Sequence, residues 1–510
     1  MSEKNQALPV EGWAKLAQKP AKIYEITRRD RFLLAGVLVW CFLTVDSILW
    51  AWPYGMGLTA TVFGWYILLF SALGPSGLQY RENQVLLIVN LALAVSFALS
   101  SNSTFHIWNF FALLVLIPSH AWGLSGGTAL PWWHPLMLWE RFCLLLRGLF
   151  GALGAAFAAV TPQKGGLEHR RILAAVLGIT GALALLGLLV PILSSADALF
   201  AAATADLRRF IREHLTESLW KWIMALILTP FVCGLIYRLR HPAPAKAPAI
   251  PALSADGLLF LIILAALDGL YLLFLLVQSA GLFGGAAYLA QRGISYAEWA
   301  RSGFFQMVGV TVVNLTVIMA ALTLSRQRGR GWTAVRLLSA ALTAESLILL
   351  VSAAWRMTLY VSAYGLSFKR LLTYWGMGMM ALLFLAVLWK THKPDFRFCR
   401  TAFPLALAGW LVINCVPVDY LVAKNQVDRY LDGESTTLSV HYLAYALSYD
   451  ALSQLERLDG SLPLYTLEGN WWAPGETLGD LLAQRRAAAQ RECSDWRSWS
   501  LSACLAGSRD

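Results

Sequence analysis

The chain alternates between long apolar runs and short polar ones. A helix that crosses a bilayer needs about twenty mostly apolar residues. Runs of that kind lie at approximately 33–52, 56–73, 84–100, 105–122, 171–193, 219–237, 256–280, 303–324, 333–355, 371–390 and 402–417. Trp122, Trp220, Trp222, Trp332, Trp355 and Trp389 fall at or near their ends, at the depth where amphipathic indoles settle between hydrocarbon and headgroups. The pattern predicts an all-α fold, a polytopic transmembrane helix bundle of about eleven spans.

Three stretches break the pattern. Residues 133–162 carry Glu140, Arg141 and Arg147, which predicts an interfacial or re-entrant helix rather than a span. In 195–215, Leu199, Ala203, Leu207, Phe210 and Ile211 form an apolar stripe opposed by Asp206, Arg209, Arg212 and Glu213, a second interfacial helix. Residues 238–252 are rich in Pro and Ala and predict a linker, because proline removes helical hydrogen bonds. The expected organisation is a basic tail at 1–32, a transmembrane half at 33–237, that linker, a second half at 253–417, and a polar helical tail at 418–510. Within the tail, amphipathic helices are expected near 437–457 and 477–490, with a turn region between Gly460 and Gly475. The tail is too short and too poor in apolar residues for a large independent domain. It is expected to pack on the membrane portion or on a protein partner.

Composition turns the pattern into a statement about solvent. Of 510 residues, 58% are hydrophobic and 14% charged, against about a quarter charged in soluble proteins. The mean hydropathy is +0.57. The partner that this surface requires is the lipid bilayer. The net charge of +11 is gathered at Lys19–Arg31, at Arg326, Arg328 and Arg330, and at Lys390–Arg400. Short basic clusters beside apolar runs hold loops in the cytoplasm, and they argue against a nucleic-acid partner. Eleven spans with a cytoplasmic amino terminus leave the tail outside. No cleavable signal peptide is expected, since the first apolar run is too long for one.

Candidate chemistry comes from ionisable groups deep in spans, which are costly and face a cavity or a partner. Asp268 lies near the middle of 256–280 and Glu345 near the middle of 333–355. Arg356 follows Glu345 by eleven residues, about 16 Å along a helix, too far to pair with it. Each acid therefore needs a partner from another helix, a proton or a cation. Asn314, Gln278, Tyr271 and Asn109 are candidates by depth, and Tyr360 shares a helical face with Arg356. A hydrogen-bonded structural lock explains the two acids as well as a functional polar site does. Asp46, nearer a span end, is expected to snorkel or cap. The chain has no nucleotide-binding GxxxxGK[ST] run, no GxSxG and no HExxH. No catalytic residue, metal site or cofactor is assigned, and the oligomeric state is open.

Four runs are distinctive: 270–305, 355–370, 414–430 and 495–502. In this order and spacing they resemble the bacterial membrane family catalogued as domain of unknown function 4173, with the related family 4153 as runner-up. The resemblance covers 256–510 well and the first half loosely. It implies a bacterial cell-membrane protein and singles out, without a role, Tyr296, Glu298, Arg301, Tyr364, Arg370, Asn414, Asp419, Asn425 and Arg429. Ser295 and Glu298 also fit a capping box for the span that follows, or the polar rim of a substrate mouth. If the tail is outside, Cys493 and Cys504 could close a short loop by a disulfide. The function classes left open are a carrier or channel for a small solute or ion, a non-catalytic envelope regulator or scaffold presenting its tail, and an intramembrane enzyme.

Overall fold

A computed structural model describes residues 26–49, 53–160, 217–242, 256–283, 304–325, 329–468 and 475–508, with isolated positions between 178 and 195. The described residues are helical and contain no strand. The helices that matter here are α1 (Arg28–Leu49), α2 (Met56–Leu73), α3 (Arg81–Leu99), α4 (Ser103–Ser125), α5 (Met137–Gly151), α6 (Gly154–Val160) and α7 (Glu217–Arg240). They continue with α8 (Gly257–Phe283), α9 (Phe304–Leu324), α10 (Gly329–Tyr364), α11 (Phe368–His392), α12 (Phe398–Cys415), α13 (Val418–Leu431), α14 (Leu478–Ser494) and α15 (Leu501–Gly507).

Ten of the eleven predicted runs coincide with helices, and the fifth, 171–193, lies mostly outside the described residues. Among the described residues, nine helices are long and apolar enough to cross a membrane, and the described part of α9, Val308–Leu324, is a shorter apolar helix. Their outward faces stay apolar. Leu337 and Val351 on α10 are each 70% exposed, which is stable only if lipid covers them. Of the stretch 133–162, the described part forms two helices, α5 and α6, broken at Ala152 and Leu153. Apart from Ser195, the amphipathic stretch 195–215 lies outside the described residues, as does 243–252 of the linker. The first three linker residues, 238–240, instead end α7, since the prolines begin only at Pro242.

The chain divides into two compact units. The smaller contains Met1–Val45, Leu68–Ala72 and Leu145–His241. In it α6 packs on α7, with Gly234 against the Ala152 backbone, and Arg240 pairs with Asp30. The larger contains Asp46–Ile67, Leu73–Leu144 and Pro242–Asp510.

Within the larger unit α10 is the hub, packed by α8, α9 and α11. Phe260, Leu264, Ile318, Leu322, Leu342 and Phe384 make a fully apolar layer between them. With 36 residues, α10 is about 54 Å long, well beyond the roughly 30 Å of hydrocarbon. Its last turns therefore leave the lipid.

What they meet is the polar tail, which folds as a cap on the larger unit. A single apolar cluster joins Phe105, Phe368 and Ile413 of α4, α11 and α12 to Val422, Leu443, Leu455, Leu467 and Leu481 of the cap. One expected element changes here. Residues 437–457 are not one helix but a π turn (Tyr442–Ala446), a 3-10 turn (Tyr449–Ala451) and one α turn (Leu452–Leu455). The break has a cause: Ser448 N–H donates to Asp419 (3.0 Å) and Tyr449 N–H to Ser101 Oγ (3.1 Å), so both amides leave the helical ladder. The second expected helix forms as α14, opened by a capping box between Thr477 and Asp480.

Candidate functional site

The two acids are half-buried and stand near one another. Asp268 on α8 lies close enough to Glu345 on α10 for its charge to act on the second carboxyl. Tyr271, nearly one turn beyond Asp268, reaches Asn314 of α9 and also feels Glu345. Asn314, fully buried, donates to Ser346 Oγ at 2.9 Å, and Ser346 donates to Leu342 C=O at 2.7 Å. Three helices therefore contribute one polar cluster inside an otherwise apolar layer. The cluster is rich in acceptors and short of donors. Both oxygens of Asp268, Oε2 of Glu345 and Oδ1 of Asn314 are buried without a hydrogen bond. Among the described residues no three His, Cys, Asp or Glu side chains gather as metal ligands. Half-buried carboxyls within lipid, with acceptors to spare, can take up a proton or a cation.

Other candidates go elsewhere. Gln278, Tyr296, Glu298 and Arg301, with the expected Ser295 capping box, lie outside the described side chains. Arg356 is buried on α10 at 8% exposure, beside Ala353 and Met357, away from the acid pair. Tyr360 lies against Tyr364 with the rings tilted at 56°, and the guanidinium of Arg370 covers the Tyr360 ring at 4.2 Å. Asn109 joins a third cluster: its amide donates to Ser96 Oγ (2.8 Å) and Asn414 Oδ1 (2.6 Å) and accepts from Trp410 Nε1 (2.8 Å).

The remaining motif residues line the seam between cap and bundle. Arg429 of α13 donates to the C=O groups of Val361, Ser362 and Ala363 at the end of α10. Helix-end carbonyls of this kind lack partners within the helix, although Val361 C=O also accepts from Gly365 N–H at 2.8 Å. Arg370 donates to the C=O of Tyr364 (3.1 Å) and of Gly365. Asn425 accepts from Leu366 N–H at 2.6 Å, and Gln426 donates to Leu366 C=O at 2.7 Å. Gly365 makes the turn at φ +72°, a conformation that disfavours any Cβ. Asp419, 3% exposed, accepts from Asn102 Nδ2 (2.7 Å) and Ser448 N–H (3.0 Å). Burial pushes its carboxyl above the usual range, and the hydrogen bonds from Ser448 and Asn102 oppose that push.

The run 495–502 closes the seam. Met56 N–H donates to Trp499 C=O (2.9 Å) and Gly57 N–H to Arg497 C=O (3.0 Å). Asp46 pairs with Arg497 at 3.2 Å. A Cβ on Gly55 would stand 2.5 Å from the Ser498 and Trp499 backbone, so only glycine admits this contact. Cys493 and Cys504 are joined by a disulfide that ties α14 to α15.

The family model described as Domain of unknown function (DUF4153) matches residues 87–458, well over half of the 510. The chain belongs to this family. It is the second of the two families that the motifs resemble. The DUF4153 match begins well inside the first half of the chain, which the motifs covered only loosely, and it ends before the 495–502 run. No curated protein and no solved structure matches. The acid pair, the Asn109 cluster and Asp419 all fall within the DUF4153 segment.

Sequence reading missed several partners. Ser346, Asn102, Ser448 and Trp410 become visible only when helices pack. Asn102 carried a local signal, because an Asn before an apolar run is a helix cap. It does cap α4, accepting from Phe105 N–H at 2.8 Å, but nothing local announces its second bond to Asp419.

Proposed function

We propose that this DUF4153 protein is a carrier or channel for a proton or small cation in a bacterial cytoplasmic membrane, with Asp268 and Glu345 as its intramembrane site. One observation carries this reading: two half-buried carboxyls from different helices stand within each other's electrostatic reach and have unmet acceptor atoms. A purely structural lock favours complementary donors, because unpaired buried acceptors are costly. Asn314 and Tyr271, which bond to each other, are the neutral polar neighbours of the pair.

The proposed orientation sets the cap outside. The dense basic loop Lys390–Arg400 joins α11 and α12 at the end of both helices opposite the cap, and such loops stay in the cytoplasm. The disulfide supports the same sidedness, since disulfides persist in oxidising compartments.

The test uses Asp268→Asn and Glu345→Gln in the full chain, substitutions that keep size and hydrogen bonding but abolish titration. Both proteins are expected to insert and accumulate normally. In proteoliposomes the wild type is expected to dissipate an imposed pH or sodium gradient, and both variants are expected to lose that activity. Normal complementation of a deletion strain by both variants would remove the carrier reading. An envelope scaffold would then lead, a reading that the cap's firm apolar attachment to the bundle supports.

A further inference from the structure

The end of the bundle away from the cap carries a cavity of about 260 Å³ that the acid pair does not use. That is roughly eight waters by volume. It lies between the start of α3, the end of α4, α5 and the start of α12, and Tyr80, Trp132, Trp133 and Phe403 form its aromatic wall. Arg141 of α5 also lines it and is 6% exposed.

The guanidinium of Arg141 is poorly matched by the protein. Nη2 donates to Leu130 C=O at a long 3.4 Å, while Nε and Nη1 make no hydrogen bond. Glu140 stands 3.6 Å from Nη1, but its carboxylate is occupied by the Ala129 and Leu130 N–H groups at 2.7 and 3.2 Å. A buried arginine with unmet donors is expensive unless something else accepts from them. Two more cations stand close by: Arg397 and Arg400 lie over the ring of Trp133 at 5.5 and 5.2 Å. The acid among the lining residues is Glu82, at the exposed rim.

A planar guanidinium fork matches phosphate oxygens two at a time. Indoles and arginines together suit headgroup depth. We propose that this cavity binds a phosphate-bearing group, gripped by Arg141 and screened by Arg397 and Arg400. A phospholipid headgroup and free phosphate share this chemistry, and the experiment separates them.

The full chain is purified in an uncharged maltoside detergent without phosphate. Phosphatidylglycerol is titrated in one arm and inorganic phosphate in the other. Binding is read as a rise in unfolding temperature and as slowed hydrogen exchange over Thr128–Arg141. A response to the lipid assigns a headgroup, a response to phosphate assigns a soluble anion, and either supports the site. Arg141→Gln is expected to weaken the response about tenfold or more, with Arg141→Lys between the two. No response in either arm, or an unchanged response in a folded Arg141→Gln protein, would overturn the proposal. Should Arg141→Gln fail to fold, the wild-type exchange decides: protection over Thr128–Arg141 supports the site, and protection elsewhere overturns it.

Discussion

Asp419 couples a proton to the seam. Burial raises its carboxyl above the ordinary range, against the hydrogen bonds from Ser448 and Asn102. Burial likewise raises Glu492, against the hydrogen bond from Tyr449 and the charge of Arg485. A carboxyl raised on folding binds more protons folded than unfolded between its two values, so stability falls as pH rises through that window. The cap is therefore expected to hold more tightly as pH drops from neutral towards about 4, the unfolded carboxylate range. Asp480 in the capping box is held low and works the other way, losing its contribution only below that range. Hydrogen exchange of α13 against pH measures the balance, and looser α13 at pH 5 than at pH 7 would contradict it. Asp419→Asn is expected to flatten the pH response while keeping the cap docked. Asp419→Ala is expected to cost about 1–3 kcal/mol by leaving Asn102 and Ser448 without their acceptor. At this scale the sequence was legible wherever burial alone decides. Asp268 and Glu345 stand out because acids are rare in apolar runs, whereas Ser346 and Ser448 are ordinary until a neighbouring helix reaches them.

Among the elements, the junction of α10, α11 and α13 is held by side chains meeting helix ends. Arg429→Ala is expected to leave the carbonyls of Ser362 and Ala363 at the end of α10 unmet, at about 1.5–3 kcal/mol for a charged hydrogen-bond donor. Faster exchange confined to the last two turns of α10 and to α13 would be the signature. Helix α13 itself was readable. Val418, Val422, Ala423 and Val427 recur at helical spacing after Pro417 and are the residues it buries. Its short length and many charges hid it beside runs of twenty apolar residues. The 437–457 stretch misled for the opposite reason: its period is helical, but tertiary acceptors take the amides of Ser448 and Tyr449. Long apolar helices were legible because lipid leaves the backbone no other partner than itself.

For the molecule as a whole, the cap and the Lys390–Arg400 loop lie at opposite ends of α11 and α12, and the proposed sidedness can be read without a substrate. A fluorescent protein that folds only in the cytoplasm, fused after Asp510, is expected to stay dark. Cys493 and Cys504 are expected to resist a membrane-impermeant maleimide until reductant is added. Gly55→Ala sets a Cβ against the backbone of Ser498 and Trp499. Backbone offers no flexible atom to move, so a cost of about 1–3 kcal/mol and faster proteolysis of the cap are expected. The same contact has a bearing on assembly. Met56 is made more than four hundred residues before Trp499, to which its amide is bonded. Between those two moments the first turn of α2 stands without the segment that later packs on it. Pairing so distant in sequence is slow to form, which makes this turn a natural foothold for chaperones and proteases that survey unfinished chains. A chain truncated before residue 495 would keep its apolar helices and still be treated as unfinished.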